Sequence, residues 1–163
     1  MKTLDQCYEA YAPEIYRYIY SLCYNRELAE DIMQETFYKA YSQLESIQNE
    51  AIRSWLFRIA HNAFLDYIKK EKRSFPKELD FFQDQLKEAS FEKQLLEKER
   101  FQEVLQAVDA LPFQQKQALL LWSVHQLSYR EIAAIIHLSE SSVKSLIFRA
   151  RAKLKKERGN QNE

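Results

Sequence analysis

The chain has 163 residues with 24 basic and 24 acidic side chains, a length that allows one ordinary domain or two small ones. One glycine, Gly159, and three prolines supply too few turn residues for a hairpin-rich sheet, and they exclude a glycine-rich phosphate loop. No apolar run approaches the roughly 18 residues of a membrane span. The N-terminus lacks a basic flank followed by an apolar stretch, so we expect a cytoplasmic protein.

Residues that commonly do chemistry are sparse and scattered. Cys7 and Cys23 have no metal-type spacing and are expected to be buried thiols, with a redox switch as the alternative. The histidines at 61, 125 and 137 have no second ligand at helical spacing, so no metal or other cofactor is expected. No nucleophile–base pair is visible either, and the sequence does not predict an enzyme.

The zero net charge hides an asymmetry along the chain. Residues 1–72 hold 9 basic and 11 acidic side chains, whereas residues 98–163 hold 11 and 7. Within residues 140–158 there are 7 basic and 2 acidic side chains. A local basic stripe favours a polyanionic partner for that element. A solvated helix end, whose dipole favours cations, accounts for the charge equally well.

Helical periodicity predicts three helices in the N-terminal half. They cover residues 4–24 with a restart near Pro13, 26–44 with Asn25 as N-cap, and 55–72 with Ser54 as N-cap. A polar loop over residues 45–53 precedes the third helix. At residues 74–90 the composition shifts and the periodicity weakens around Pro76, which indicates a linker.

Helical patterning resumes after this linker. Helices are predicted at residues 91–110, 113–125 after Pro112, 129–136 and 140–155. The apolar positions of the first of these are Leu95, Val104, Leu105 and Val108. The fold class is therefore all-α, with two small helical domains (1–73 and 91–163) joined by a flexible linker (74–90).

A helix-turn-helix is the strongest local pattern. Ser128 and Glu131 form a capping box that begins a short helix, and Ala133 is small enough for two helices to approach closely. His137 begins the turn at a position where glycine is common because φ is positive; histidine tolerates that conformation better than most residues. Ser139 is then the N-cap of a second helix.

The second helix of this motif has two distinct faces. Its predicted core face consists of Val143, Leu146, Ile147, Ala150 and Leu154. Its outer face consists of Ser141, Ser142 at the edge, Lys144, Ser145, Phe148 and Arg149. Such a face can lie in a DNA major groove, where a Phe contacts a thymine methyl and cations reach guanine edges or phosphates. The alternative is an ordinary helical hairpin whose Phe148 packs on another domain.

The second and third helices also divide into two faces. In the second helix, Leu28, Ile32, Met33, Phe37 and Ala40 form the predicted core stripe, opposite Asp31, Gln34, Glu35 and Tyr38. In the third, Phe57, Ala60, Phe64, Tyr67 and Ile68 lie opposite Arg58, Asn62, Asp66 and Lys69. The first outer face suits a basic protein partner and the second suits nucleic acid. Simple solvated faces remain the alternative for both.

Several sequence blocks together resemble the sigma-70 family of bacterial RNA polymerase specificity subunits. The blocks are Leu28-Ala29-Glu30-Asp31, Gln34-Glu35-Thr36-Phe37, Ser54-Trp55-Leu56-Phe57-Arg58-Ile59-Ala60-His61-Asn62, Leu111-Pro112, Ser128-Tyr129-Arg130-Glu131-Ile132-Ala133 and Ser142-Val143-Lys144-Ser145. The resemblance spans about residues 4–156. It is closer to the extracytoplasmic-function (ECF) group, which keeps only the second and fourth sigma regions, and within it to the envelope-stress sigma-M type.

The resemblance implies a role for each outer face. Asp31, Gln34 and Glu35 would bind the clamp helices of the polymerase β′ subunit. Arg58, Asn62, Asp66 and Lys69, with the loop at residues 45–53, would read the opened −10 promoter element, from which this group flips a base. Ser141, Ser142, Lys144, Ser145, Phe148 and Arg149 would read the −35 element. The C-terminal domain would also contact the polymerase β flap, and an anti-sigma factor, often membrane-bound, would be a further partner.

Two other functions compete with this interpretation. One is an autonomous helix-turn-helix regulator, which would normally dimerise to match paired half-sites. The other is an interaction protein that mimics a sigma factor, which should have replaced the cations of its DNA faces with acidic groups. The importance of Asp31 and Glu35 for function distinguishes a sigma factor from the autonomous regulator.

Overall fold

The computed structural model describes the backbone of residues 3–43, 51–74 and 99–161, and the side chains of residues 3–43, 51–71 and 103–157. These ranges contain seven α-helices and no strands, which confirms the all-α class. The helices are α1 (Leu4–Cys23), α2 (Arg26–Tyr41), α3 (Ile52–Ser74), α4 (Glu99–Asp109), α5 (Phe113–Ser123), α6 (Tyr129–Ile136) and α7 (Glu140–Gln161). They form two compact units, α1–α3 and α4–α7. Apart from Ser74, the predicted linker lies outside the described residues, as do residues 91–98.

Helix α1 is continuous through Pro13, so the predicted restart there is wrong. Its N-terminus is fixed by a capping box in which the Thr3 hydroxyl accepts from the Gln6 amide at 3.2 Å, while the Gln6 side chain accepts from the Thr3 amide. Proline removes one backbone donor from a helix interior. Buried side chains on both sides of it, Ala12 and Ile15, hold the helix against the core and offset that loss.

The predicted cap of α2 is confirmed and that of α3 is wrong. The Asn25 side-chain oxygen accepts from the Leu28 amide at 3.0 Å, and α2 then ends at Tyr41, earlier than predicted. Helix α3 begins at Ile52, so Ser54 lies inside it and its hydroxyl donates to the Ala51 carbonyl. Ile52 is 1% exposed, and its burial favours the earlier start. Residues 52 and 53 thus belong to α3, while residues 45–50 of the predicted loop lie outside the described residues.

The start of α3 is joined to α1 by one arginine. Arg53 forms an ion pair with Glu14, with its Nε 3.0 Å from the Glu14 Oε2. The same guanidinium lies 5.6 Å from the centre of the Phe57 ring. Phe57 in turn packs edge-to-face on Tyr18 of α1, at 5.4 Å between ring centres. These contacts set where α3 begins relative to the core of the first unit, in which Cys7 and Cys23 are fully buried as predicted.

Helices α4 and α5 pack beside α7 around a cluster of apolar side chains. Leu111, Leu119 and Ala150 are buried, and Val108, Trp122 and Leu154 pack against them. Asp109 and Lys116 form an ion pair at 3.0 Å. Val104, one of the apolar positions that indicated this helix, is 55% exposed. Leu95 lies outside the described residues.

The helix-turn-helix is formed as the sequence predicts. The Ser128 hydroxyl accepts from the Glu131 amide and the Glu131 carboxylate accepts from the Ser128 amide, both at 3.0 Å. His137 has φ 61° and ψ 42°, and this left-handed residue reverses the chain. The Ser139 hydroxyl accepts from the Ser142 amide at 3.2 Å. Helix α7 continues to Gln161, beyond the predicted end at residue 155.

The capping box allows a test of local stability. We expect Ser128→Ala to lower the free energy of unfolding of the second unit by about 1 kcal/mol, because two amides at the start of α6 lose a reciprocal cap. The only two tryptophans of the chain are Trp55 and Trp122, one in each unit. In a Trp55→Phe background, the fluorescence of Trp122 therefore follows urea unfolding of the second unit alone. Ser128→Thr keeps the hydroxyl and should retain most of the stability; an equal loss in both variants would contradict the prediction.

Candidate functional site

The outer face of α2 is acidic and carries two exposed tyrosines. Asp31, Gln34 and Glu35 are all exposed, as the sequence predicts, whereas the opposite face of the helix is buried. Glu35 forms an ion pair with Lys39 at 3.1 Å, a surface pair that contributes little to stability. The buried face fixes the helix, so the acidic face is exposed to solvent without cost to the core.

The tyrosines lie on the same α2 face as the acidic residues. Tyr38 is 82% exposed and Tyr41 is 70% exposed. Tyr38 was expected on this face, whereas the sequence analysis did not assign Tyr41 to it. The signal was available, because residues 34, 38 and 41 fall within one narrow sector at 100° per residue. Large exposed aromatic side chains are frequent anchors in protein interfaces.

The outer face of α3 is a polar stripe. Arg58, Asp66 and Lys69 are exposed and Asn62 is half-buried, and the spacing of the four aligns them along one side of the helix. Of the predicted core positions, Phe57, Ala60 and Phe64 are buried, while Tyr67 and Ile68 are half-buried. His61, which the sequence analysis left unassigned, is 2% exposed and belongs to the core.

The Tyr67 phenol of α3 lies close enough to Asp31 of α2 for the two side chains to interact electrostatically. Burial raises the pKa of the Tyr67 phenol above its usual 10.0, and electrostatic interactions with Glu71, Cys23 and Asp31 act in the same direction. The folded state therefore retains this proton when the unfolded state releases it. By linkage, the contribution of this phenol to the stability of the first unit is fully present below pH 10 and is lost as the pH rises above it.

Removing the phenol should reduce this loss. We expect Tyr67→Phe to lose less unfolding free energy than the wild type between pH 9 and 11, as measured by urea unfolding followed through Trp55 in a Trp122→Phe background. Tyr38→Phe is the matched control, because Tyr38 is 82% exposed, and it should follow the wild type. Parallel pH profiles for Tyr67→Phe and the wild type would contradict the assignment.

The outer face of α7 has the composition predicted for it. Ser141, Lys144, Ser145 and Arg149 are exposed, Ser142 is half-buried at the edge, and Phe148 is 74% exposed. The core face is also as predicted, with Val143, Ile147 and Ala150 buried and Leu146 and Leu154 half-buried. The helix therefore presents hydroxyls, cations and one aromatic ring while its other side is fixed in the second unit.

Two aromatic rings, which the sequence analysis did not single out, flank the cations of α7. Trp122 of α5 and Tyr129 of α6 stack with ring centres 6.5 Å apart. The Lys144 Nζ lies 5.6 Å from the centre of the Tyr129 ring, and the Arg151 Cζ lies 5.3 Å from the centre of the Trp122 ring. Since the four residues belong to three helices, no periodicity within one helix could reveal the arrangement.

Neither a metal site nor a membrane span is found among the residues that the structure describes. No group of three or more His, Cys, Asp or Glu side chains in this part of the chain could hold a metal ion. Among the same residues, no helix is both long and apolar enough to cross a membrane.

Comparison with known protein families decides between the competing interpretations. Residues 7–74 match the model of Sigma-70 region 2, and residues 101–154 match that of Sigma-70, region 4. The chain belongs to the sigma-70 family. The match in the N-terminal half sets aside the autonomous helix-turn-helix regulator, because the surfaces of α2 and α3 fall within a sigma region.

Individual relatives place this sigma factor in the ECF group. It is 34% identical over 158 residues to the ECF RNA polymerase sigma factor SigM of Bacillus subtilis (strain 168), which covers 94% of this chain and 93% of that protein. It is 37% identical over 131 residues to the ECF RNA polymerase sigma-E factor of Escherichia coli (strain K12), over 74% of this chain and 69% of that one.

A solved structure agrees on the fold. The sigma factor RpoE from Bartonella quintana, in complex with the anti-sigma factor NepR, matches with a TM-score of 0.72 and 23% identity, over 96% of this chain and 97% of that one. The chain is thus an RNA polymerase sigma factor that directs transcription initiation, and its role is regulatory. As a sigma factor, it binds core RNA polymerase and promoter DNA.

Proposed function

We propose that the three outer faces have separate roles, one in binding the polymerase and two in recognising the promoter. The α2 face (Asp31, Gln34 and Glu35) docks on the β′ clamp helices of the polymerase. The α3 face (Arg58, Asn62, Asp66 and Lys69) reads the opened −10 element together with residues 45–53. The α7 face (Ser141, Ser142, Lys144, Ser145, Phe148 and Arg149) reads the −35 duplex. Residues 1–73 then act as the docking and −10 domain, and residues 91–163 as the −35 domain.

The exposed face of α7 is the observation that carries the proposal. A solvated helix face rarely needs a phenylalanine, yet Phe148 is 74% exposed between Lys144 and Arg149. In the major groove its ring would contact a thymine methyl while hydroxyls and cations reach base edges and phosphates. The turn at His137 and the N-cap at Ser139 set the angle at which α7 leaves α6, as a helix-turn-helix requires.

The two faces of the first unit support the remaining assignments. An acidic surface with exposed aromatic side chains suits a basic protein partner. On α3, one amide and two cations along a single stripe can hydrogen-bond to bases and phosphates of a separated strand, and the half-buried Trp55 lies near the start of this helix. An unpaired base exposes its Watson–Crick edge, which makes recognition after strand opening specific.

According to this proposal, the protein is a binding subunit and contributes no catalytic residues. It contributes binding energy at two promoter elements and on the polymerase, and the covalent connection raises the effective concentration of each contact. We place its action in the cytoplasm beside RNA polymerase. An anti-sigma factor that covers these faces would hold it inactive. A precedent for such a partner is the sigma factor RpoE from Bartonella quintana, which is in complex with the anti-sigma factor NepR.

Site-specific photocrosslinking tests all three assignments together. A photoreactive phenylalanine is placed at Phe148, Asn62 or Tyr38 in holoenzyme bound to a promoter selected from a randomised duplex library. We expect crosslinks to −35 duplex DNA, to −10 single-stranded DNA and to β′, respectively. Glu9, exposed on α1, is the control position. Crosslinks from Phe148 to polymerase alone would overturn the −35 assignment.

A further inference from the structure

Lys144 and Arg151 pack on aromatic rings and do not pair with carboxylates among the described side chains. Each is exposed, and each lies within 6 Å of the centre of a ring in the Trp122–Tyr129 stack. Among the described side chains, neither forms an ion pair with an acidic residue. An aromatic ring attracts a cation and restricts its motion without cancelling its charge. Both charges therefore remain available to an anion.

The two cations share one side of α7. They are seven residues apart, so they lie on the same side of the helix about 10.5 Å apart along its axis. This side faces α5 and α6, since Trp122 belongs to α5 and Tyr129 is the first residue of α6. In a helix-turn-helix the first helix crosses the DNA backbone while the second occupies the groove. Lys144, which lies on the first residue of α6, is thus close to the phosphates that α6 crosses. Arg151 lies on the ring that stacks against Tyr129, on the same side of α7.

The Trp122–Tyr129 stack is also fixed in place. Trp122 packs against the buried Leu111, Leu119 and Ala150, and Tyr129 follows directly after the Ser128 cap. Long cationic side chains on a surface otherwise sample many rotamers, and binding has to restrict them. Because a rigid ring already restricts each cation in the free protein, binding to DNA costs less side-chain entropy.

We propose that Trp122 and Tyr129 are positioning residues that hold Arg151 and Lys144 for contact with the phosphate backbone of promoter DNA. The inference rests on the proposed function of α7 as the −35 element reader. It assigns Lys144 to phosphate and not to a base edge, and it adds Arg151, Trp122 and Tyr129 to the DNA-binding machinery.

Double-mutant cycles test the coupling that positioning requires. Holoenzyme is formed with wild-type protein, Trp122→Leu, Arg151→Gln or the double variant, and its affinity for a selected, fluorescently labelled promoter duplex is measured by anisotropy. Arg151→Gln should weaken binding about tenfold, as one charge-assisted contact is lost. Trp122→Leu should weaken it about two- to fivefold in the wild type, and hardly at all when Arg151 is already Gln.

Further variants separate positioning from packing. Tyr129→Leu with Lys144→Gln should show the same non-additivity, whereas Trp122→Leu with Lys144→Gln should be additive. Trp122→Phe and Tyr129→Phe keep a ring and should retain near wild-type affinity. Circular dichroism checks that every variant folds, and the Tyr129 cycle still tests the proposal if Trp122→Leu does not fold.

The outcomes distinguish this inference from the function on which it rests. If wild-type holoenzyme selects duplexes and both cycles are additive, the positioning role is wrong while the −35 assignment stands. Loss of sequence preference at a single base pair in Lys144→Gln would also overturn it, because a phosphate contact weakens all sequences alike. If no duplex with a −35 element is selected, the proposed function of α7 fails and this inference fails with it.

Discussion

Charge reversal at Asp31 and Glu35 is expected to abolish transcription while leaving the protein folded. Both side chains are exposed on α2, so Asp31→Arg with Glu35→Arg alters the surface and not the core. Arginines there would face the partner with the wrong charge, and like-charge contacts across an interface cost several kcal/mol. The ion pair with Lys39 is also lost, which has a small effect on helix stability.

The measurement is gel filtration with core RNA polymerase followed by run-off transcription. The wild type should co-elute with core enzyme and support run-off, and the reversal variant should do neither. Asp5→Arg with Glu9→Arg is the matched control, because this pair has the same spacing and is exposed on α1. Normal run-off from the folded α2 variant would refute docking through this face, as would equal failure of both variants.

Truncation of Arg149 is expected to weaken use of the −35 element by about 1–3 kcal/mol, the range for loss of a bidentate base contact. Arg149 is exposed on α7 beside Phe148, and the other side of this helix is fixed by buried Ile147 and Ala150. Arg149→Ala therefore removes a contact without disturbing the frame that presents it. The variant should also lose discrimination at one base pair of the −35 element.

Promoter variants identify the element that is affected. Initiation by wild type and Arg149→Ala is compared on templates with single substitutions in either element. Lys153→Ala is the matched control, since it removes a nearby exposed cation and should weaken all templates to a similar extent. A defect of Arg149→Ala that follows only substitutions in the −10 element would refute the assignment to −35.

The correct sequence predictions rest on interactions between residues close together in the chain. The Ser128–Glu131 capping box, the Asn25 cap and the left-handed His137 each involve a few consecutive residues. Their energetics are local, so residue identity and spacing determine them. The two faces of α2 and α7 are predictable for a similar reason, because helical periodicity separates buried from exposed positions.

The errors arise where distant residues decide the outcome. The start of α3 depends on burial of Ile52 and on the ion pair between Arg53 and Glu14, which are 39 residues apart. Ser54 has the properties of a cap, but this tertiary packing outweighs a local preference of about 1 kcal/mol. The Trp122–Tyr129 stack likewise joins separate helices, so the periodicity of one helix cannot reveal it. Val104 occupies an apolar position of the helical pattern but is exposed.

The burial of both cysteines in one helix has a practical consequence. Cys7 and Cys23 are fully buried near opposite ends of α1, about 24 Å apart along its axis. That separation is far beyond the span of a disulfide, so intramolecular oxidation in the native fold does not join them. Each thiol becomes accessible to an alkylating reagent only when its own end of the helix unfolds locally. Peptide-resolved labelling rates, with and without bound polymerase, therefore report separately how partner binding changes the local opening of each end.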